Sequence, residues 1–128
     1  MSKNVRAVRD VGGYDIRLKV ILESGLYPDQ ERLAAAADVA IQAGGDFLKT
    51  STGKVGTGAT LEAAAVMLSR IAASGLPVGF KASGGVREPA AAAAYLVLAE
   101  SILGQGWAKP ETFRVGASSL LPKLLALV

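Results

Sequence analysis

The feature of this sequence that most restricts its fold is a short apolar segment, with one cation inside it, that occurs four times. The four cations are Lys19, Lys49, Lys81 and Arg114, and successive members are 30, 32 and 33 residues apart. One β-strand, together with the helix that crosses back over the sheet, has about this length. The period therefore predicts four successive βα units.

The residues around the four segments agree with this prediction. Gly, Pro, Ser or Thr bounds each segment, as is typical of buried parallel strands. We expect Thr60 to cap a helix, Pro89 to lie in a first helical turn, and Gly44, Gly75 and Gly104 to lie where helices end. We predict strands at residues 16–22, 46–51, 77–82 and 113–117, and helices at 29–43, 61–73, 89–103 and from 118 or 119 to the end, with residues 4–11 as the tail of a preceding helix. The fold class is α/β, a parallel sheet with outer helices.

The composition excludes several classes of protein. A chain of 128 residues, 51% of them hydrophobic, is long enough for one domain with a modest core. It contains no cysteine and no histidine, so disulfides are excluded and no metal site is expected. The net charge of +3 comes from scattered cations, which favours small anionic ligands over nucleic acid. No apolar run reaches the length of a membrane span and residues 1–4 begin no apolar signal region, so we expect a cytoplasmic protein with no membrane partner.

Two lysines lie at matching points of neighbouring predicted strands. Strand residues alternate between faces, so Lys49 and Lys81 are expected on the same face. Burial and a second cation both favour the neutral form of a lysine, and the neutral amine is the form that attacks a carbonyl. The alternative is that both lysines point outward, with the ammonium groups in solvent. The pair in register favours amine catalysis over that alternative.

Two glycine-rich segments follow the third and fourth predicted strands. Residues 83–87 (SGGVR) and 116–119 (GASS) each lead into a predicted helix, where backbone N–H groups bind anions. The alternative is that they serve only as a turn and a cap. Residues 50–54 (TSTGK) offer hydroxyls, amides and the Lys54 ammonium at the same edge, without the spacing of a nucleotide P-loop. Glu23 follows the first strand and could face the same edge, but we expect it to be a solvated loop carboxylate.

Three segments resemble one known family over their whole length. Residues 46–54 (DFLKTSTGK), 79–87 (GFKASGGVR) and 113–121 (FRVGASSLL) resemble the deoxyribose-phosphate aldolases, and residues 18–23 (LKVILE) resemble that family's fifth strand. The resemblance implies a (β/α)8 barrel enzyme. Its reaction is the reversible cleavage of 2-deoxy-D-ribose 5-phosphate to acetaldehyde and glyceraldehyde 3-phosphate, with no metal or organic cofactor. The implied partners are a phosphorylated sugar or an aldehyde.

The resemblance also implies roles for particular residues. Lys49 forms the Schiff base with the aldehyde, and Lys81 is the neighbouring cation that favours the neutral amine. Lys19 matches a position near the reacting centre, in the network that moves protons. The residues implied to hold the phosphate are Gly84, Gly85, Gly116, Ser118 and Ser119, and we add Thr52, Gly53 and Lys54 from the loop at the same edge.

The length of the chain predicts only part of such a barrel. A complete barrel has about 250 residues, so we expect residues 1–128 to form a single half-barrel domain equivalent to strands five to eight. The resemblance puts the family's catalytic aspartate on the fourth strand, and often a proton-transferring tyrosine in a tail, both outside the matched segments. A four-stranded half barrel exposes both sheet edges, so we expect a homodimer. Activity is expected to be weak or absent, and the alternative is a catalytically inactive half-barrel module that dimerises and at most binds phosphate.

Overall fold

Four parallel strands lie side by side in one sheet. The structure, a computed structural model, describes all 128 residues. The strands are β1 (Lys19–Ile21), β2 (Phe47–Lys49), β3 (Gly79–Ser83) and β4 (Phe113–Gly116), and their order in the sheet is β1-β2-β3-β4. Each neighbouring pair is parallel. The predicted α/β class with a parallel sheet is confirmed.

Five α-helices alternate with the strands. They are α1 (Ser2–Gly12), α2 (Gln30–Gln42), α3 (Leu61–Ser74), α4 (Pro89–Leu103) and α5 (Leu120–Leu125), and a short 3-10 turn, Ser24–Leu26, follows β1. None of these helices combines the length and the apolar character that crossing a lipid bilayer requires. The order of elements is therefore one helix followed by four strand–helix units.

The helices pack against one face of the sheet. Strand residues alternate between faces, and those that face the helices, Val20, Leu48, Phe80 and Ala82, are at most 9% exposed. They form one buried cluster with helix residues such as Met67. Burying a large apolar side chain contributes roughly 1.5–3 kcal/mol, so this face holds the core. We call the opposite face of the sheet the open face, and it carries Lys19, Phe47, Lys49, Lys81 and Arg114.

The helix boundaries follow the capping residues closely. The Asp29 carboxylate accepts a hydrogen bond from the backbone N–H of Arg32 at 2.7 Å and so begins α2. The Thr60 hydroxyl accepts one from Ala63 N–H at 3.1 Å and begins α3. Pro89 opens α4, and Gly75, with a φ of 65°, ends α3 in the left-handed region. The predicted caps at Thr60 and Gly75 are confirmed.

The predicted ends were wrong at several elements. The strand β2 is shorter than the predicted 46–51, and β3 begins two residues later than the predicted 77–82. The largest differences are at β1 and α5. The first strand begins at Lys19 rather than residue 16, because the backbone N–H of Leu18 is bound by the Asp46 carboxylate at 2.7 Å instead of by a strand partner. The last helix does not continue to the end of the chain but ends at Leu125. Its final turn tightens, since Leu127 N–H bonds to the Leu124 carbonyl three residues earlier.

Arg9 joins α1 to the amino ends of the strands. Its side chain is 3% exposed and forms an ion pair with Asp46. The guanidinium also donates to the carbonyls of Gly13 (2.7 Å), Ile16 (2.8 Å) and Gly44 (2.6 and 2.9 Å). A buried guanidinium needs such a set of acceptors to offset its desolvation. One side chain therefore holds the amino ends of β1 and β2, at the end of the sheet opposite the candidate site.

Candidate functional site

The open face of the sheet carries one cation from each strand. Lys49 lies directly beside Lys81 in the register of β2 and β3, and Lys81 lies directly beside Arg114 in that of β3 and β4. Lys19 lies nearer the amino ends of the strands, beside Phe47, which is two residues before Lys49 on β2. The predicted pairing of Lys49 with Lys81 on one face is confirmed. No carboxylate lies among the strand residues, so this face is strongly positive.

The cations of the open face lie over an aromatic ring. Phe47 is fully buried although it lies on the open face. The Lys19 ammonium lies 5.5 Å from the centre of its ring, and the guanidinium carbons of Arg17 and Arg114 lie 6.0 and 4.7 Å from it. Gly79 leaves room for the ring, because a Cβ there would come within 2.5 Å of it. The cations therefore cover the ring and interact with its face.

The crowding of cations changes the titration of two lysines. Burial, followed by the charges of Lys49 and Arg114, lowers the pKa of Lys81 below its ordinary value. Burial, followed by the charges of Lys81, Arg114 and Lys49, lowers the pKa of Lys19. Each of these lysines gives up its proton more readily than an isolated lysine does. The open face is therefore suited to amine and proton-transfer chemistry.

A groove of about 350 Å³ opens at the carboxyl ends of β2, β3 and β4. Its lining comprises one lysine from a strand, a short polar loop after each strand and few apolar atoms. The lining residues are Lys49, Thr52, Gly53, Lys54, Ser83, Gly84, Gly85, Val86, Arg87, Gly116, Ala117 and Ser118. The structure thus brings eight predicted site residues together, and it adds Arg87, which the sequence analysis did not include among them. We call this space the loop groove.

Three predicted site residues lie outside the loop groove. Lys19 and Lys81 line a second groove of about 680 Å³ on the open face, together with Lys109 and Arg114. Ser119 lines neither groove, and as the residue before α5 it makes no capping hydrogen bond. Lys49 and Lys81 are therefore neighbours in the sheet whose side chains line different grooves.

The loops around the loop groove touch one another. Gly84 has a φ of 97°, and its carbonyl accepts a hydrogen bond from Ala59 N–H at 2.9 Å. A Cβ at Gly58 would lie 2.3 Å from that carbonyl oxygen, so this contact requires glycine. At Gly116, a Cβ would lie 2.7 Å from Cε of Lys81. Gly116, predicted to hold phosphate, therefore also makes room for the Lys81 side chain.

Buried hydroxyls hold the ends of β2 and β3 together. The Thr50 hydroxyl donates to the Ser83 carbonyl at 2.8 Å and accepts from Ser83 N–H at 2.9 Å. The Ser83 hydroxyl donates to the Ser51 carbonyl at 2.6 Å. These roles were not predicted, although a hydroxyl at the end of each of two adjacent strands is a sequence signal for them. The position of Lys49 is thus fixed on the side that leads to the loops.

Glu23 is partly exposed and binds the loop that follows β2. Its carboxylate accepts hydrogen bonds from the backbone N–H of Thr52 at 3.1 and 3.2 Å and from the Thr52 hydroxyl at 2.6 Å. The turn after β1 is therefore attached to the polar loop that lines the loop groove.

The site can combine an amine nucleophile with an anion-binding surface. Lys49 supplies the amine, and Lys54 and Arg87 supply positive charge within the same groove. Backbone N–H groups of glycine-rich loops are suited to phosphate oxygens. This combination suits a small carbonyl compound that carries an anionic group.

The fold of the chain is similar to the folds of two known proteins. In structure, the chain is similar to the apo form of a protein assigned as a deoxyribose-phosphate aldolase from Toxoplasma gondii ME49, with a TM-score of 0.89 and 28% identity over 98% of this chain and 49% of that chain. It is also similar to the deoxyribose phosphate aldolase of Aeropyrum pernix, described as a tetramer, with a TM-score of 0.71 and 29% identity over 99% of this chain and 50% of that chain.

The chain spans about half the length of these two structures. The predicted half of a (β/α)8 barrel is therefore confirmed as the fold. The family described as DeoC/LacD family aldolase matches residues 1–121. A match over almost the whole chain shows that the protein belongs to the DeoC/LacD family of aldolases.

Proposed function

We propose that this chain carries the amine and the anion-binding surface of a Schiff-base aldolase. The proposed substrate is 2-deoxy-D-ribose 5-phosphate, which is cleaved reversibly to acetaldehyde and glyceraldehyde 3-phosphate. The observation that carries the proposal is the position of Lys49. It lies beside a second lysine in the sheet and lines the same groove as the glycine-rich loops.

The proposed reaction begins at Nζ of Lys49. Its neutral amine adds to C1 of the open-chain aldehyde, and loss of water leaves a protonated imine. Removal of the C3 hydroxyl proton breaks the C2–C3 bond and releases glyceraldehyde 3-phosphate. The bonding electron pair moves toward the imine nitrogen and leaves an enamine. Protonation at C2 and addition of water then release acetaldehyde and restore the amine.

Two further lysines support this chemistry in the proposal. Lys81, next to Lys49 in the register, repels a second ammonium and so favours the state in which one of the pair is a neutral amine. Lys19 has a lowered pKa, which suits it to accept and return protons on the open face. Both contributions need the lysines to stay on the open face, where the register of the strands holds them.

The anionic end of the substrate is proposed to lie in the loop groove. The residues proposed to hold it are Thr52, Gly53, Lys54, Gly84, Gly85, Gly116 and Ser118, with Ser119 adjacent to the last of them. Phosphate needs several N–H donors and positive charge at once. Glycine at these points lets the backbone approach the oxygens closely.

A second candidate function is a half-barrel module that binds phosphate without turnover. It is favoured by the edges of the sheet, since β1 and β4 each have only one neighbouring strand in this chain. In this proposal the chain pairs with a second copy as a homodimer and the loop groove binds the anion alone. The two candidates differ in whether Lys49 reacts with aldehydes faster than an ordinary lysine.

The decisive experiment is reductive trapping with acetaldehyde and borohydride, followed by peptide mass mapping. We expect tagging to be concentrated at Lys49 and to disappear in Lys49→Ala. In Lys81→Met, tagging at Lys49 should be weaker, because the side chain next to Lys49 in the register no longer carries a charge. Lys3→Ala is the matched control, since Lys3 is an exposed lysine on α1 and its loss should leave the tagging unchanged.

Tagging that is equal at Lys49 and Lys3 would contradict the enzyme proposal. The binding module would then be the better description, provided that inorganic phosphate still binds. Specific tagging at Lys49 without measurable cleavage of the sugar phosphate would mean that the amine is activated but the acid–base groups of the complete reaction are not all present.

A further inference from the structure

Glu23 has a backbone conformation that its residue type disfavours. Its φ and ψ are 56° and 59°, in the left-handed region, and every other residue with a positive φ is a glycine. A Cβ makes this region unfavourable, so strain here requires that the surrounding structure hold the residue in place. Strained residues occur most often at functional sites. Glu23 immediately precedes the turn Ser24–Leu26, next to the carboxyl end of the sheet.

The Glu23 side chain holds the loop that follows β2. Both carboxylate oxygens accept from the backbone N–H of Thr52, and one also accepts from the Thr52 hydroxyl at 2.6 Å. The Thr52 hydroxyl oxygen in turn accepts from the backbone N–H of Lys54 at 3.1 Å. The carboxylate thereby holds Thr52 directly and Lys54 through the Thr52 hydroxyl, with Gly53 between them, and all three residues line the loop groove.

Backbone contacts hold Glu23 itself in position. On one side of it, Leu22 N–H bonds to the Lys49 carbonyl at 3.0 Å, and on the other side Ser24 N–H bonds to the Thr50 carbonyl at 2.8 Å. Gly25 lies against the far end of the same loop, because a Cβ there would be 2.4 Å from the carbonyl oxygen of Thr57. Glu23, in its left-handed conformation, thus lies between two backbone hydrogen bonds to the end of β2 and the residue after it.

Electrostatics alone gives no reason for a carboxylate at this place. The loop groove is the surface proposed to bind an anion, and a negative charge beside it repels that anion. Glu23 is therefore expected to act through geometry. By accepting from Thr52, its carboxylate keeps the loop in one conformation before the anion arrives, which reduces the entropy lost on binding.

We infer that Glu23 is a positioning residue, which orders the Thr52–Lys54 loop for the anionic group of the substrate. The inference rests on the proposed function and adds to it a residue that does not touch the ligand. It predicts that removal of the negative charge of Glu23 weakens the binding of an anion, the opposite of what electrostatic repulsion alone predicts.

The experiment is calorimetric titration of the full chain with inorganic phosphate. We expect Glu23→Gly to weaken phosphate binding about tenfold, as the loss of a charge-assisted hydrogen bond does. The urea midpoint should not fall, because glycine relaxes the strained backbone. Glu23→Gln keeps one acceptor oxygen, so its affinity for phosphate should lie between that of wild type and that of Glu23→Gly.

Two controls separate positioning from other effects. Glu111→Gln removes an exposed carboxylate before β4, and phosphate binding should be unchanged. Acetaldehyde carries no phosphate, so its trapping at Lys49 should also be unchanged in Glu23→Gly. A loss of trapping together with binding would mean that the variant disturbs the whole site, and this would overturn the inference.

The two proposals fail in different ways. If wild type binds phosphate and Glu23→Gly binds it equally or more tightly, charge outweighs geometry, and the positioning role is wrong while the proposed function stands. If wild type binds no phosphate, the proposed anion site itself is wrong, and the role of Glu23 fails with it.

Discussion

The Lys81 ammonium is surrounded by other cations, and this gives the folded state a dependence on pH. Burial and the charges of Lys49 and Arg114 lower the pKa of Lys81 below the ordinary value of 10.5. Between the lowered pKa and 10.5 the unfolded chain binds more protons than the folded chain does. The free energy of unfolding contributed by Lys81 therefore increases as the pH rises through that interval.

We expect Lys81→Met to remove this contribution. Relative to wild type, the variant should be most stabilised at neutral pH, and its advantage should shrink as the pH approaches 10.5. The measurement is urea unfolding at a series of pH values. Only the difference between the two proteins is informative, because burial raises the pKa values of Tyr27 and Tyr95 and these groups act in the opposite direction near pH 10.

A matched control tests whether the effect belongs to the open face. Lys3→Met removes an exposed lysine on α1 and should leave the pH dependence of unfolding as it is in wild type. If Lys81→Met and Lys3→Met have the same profile, the crowding of cations does not influence stability.

Helices could be predicted from the sequence more accurately than strands. Their ends depend on local capping, and Thr60, Pro89 and Gly75 each mark a boundary that the structure confirms. Strand ends depend instead on which distant group takes each backbone N–H. Asp46 binds the N–H of Leu18 from 28 residues away, and no local pattern indicates that contact. The strand β1 is shorter than predicted for this reason.

The contact between β2 and β3 depends on a glycine that sequence patterns did not single out. A Cβ at Gly79 would lie 2.5 Å from the Phe47 ring, and the ring is fully buried beneath the open-face cations. We expect Gly79→Ala to lower the free energy of unfolding by about 1–3 kcal/mol, as overpacking does. Urea unfolding with an unchanged m-value would measure it.

Gly56 provides the control for this prediction. A Cβ there would meet no atom within 4 Å, and its backbone is not in the left-handed region. Gly56→Ala should therefore change the free energy of unfolding by no more than about 0.5 kcal/mol. Equal effects of the two substitutions would show that the Phe47 ring can move aside.

At the scale of the whole molecule, the candidate site was predicted only in part. The spacing of the cations along the chain indicated their register, and Lys49 and Lys81 lie side by side as predicted. The division of these lysines between two grooves could not be predicted, because it depends on side-chain direction and on how far each loop extends. The bond from Glu23 to Thr52 was missed for the same reason, since it joins residues 29 apart in the chain.

The open face sets a condition on the proposed pairing of two chains. The edge strands β1 and β4 are free to pair with a second copy, which would complete a barrel-like sheet. The strand residues of each chain contribute Lys19, Lys49, Lys81 and Arg114 and no carboxylate. Closing two such faces on each other concentrates positive charge in one interior. Bound anions are therefore needed to offset the repulsion.

We predict that self-association is linked to multivalent anions. In sedimentation equilibrium, phosphate should tighten the dimer more than chloride does at equal ionic strength, because bound counter-ions act in addition to screening. Arg114→Met removes one open-face cation per chain and should reduce this difference, whereas Arg6→Met, on the exposed surface of α1, should not. A chain that stays monomeric with and without phosphate would contradict the homodimer. A dimer whose dissociation constant is the same in phosphate and in chloride would mean that the open faces do not meet. The two copies would then associate through another surface.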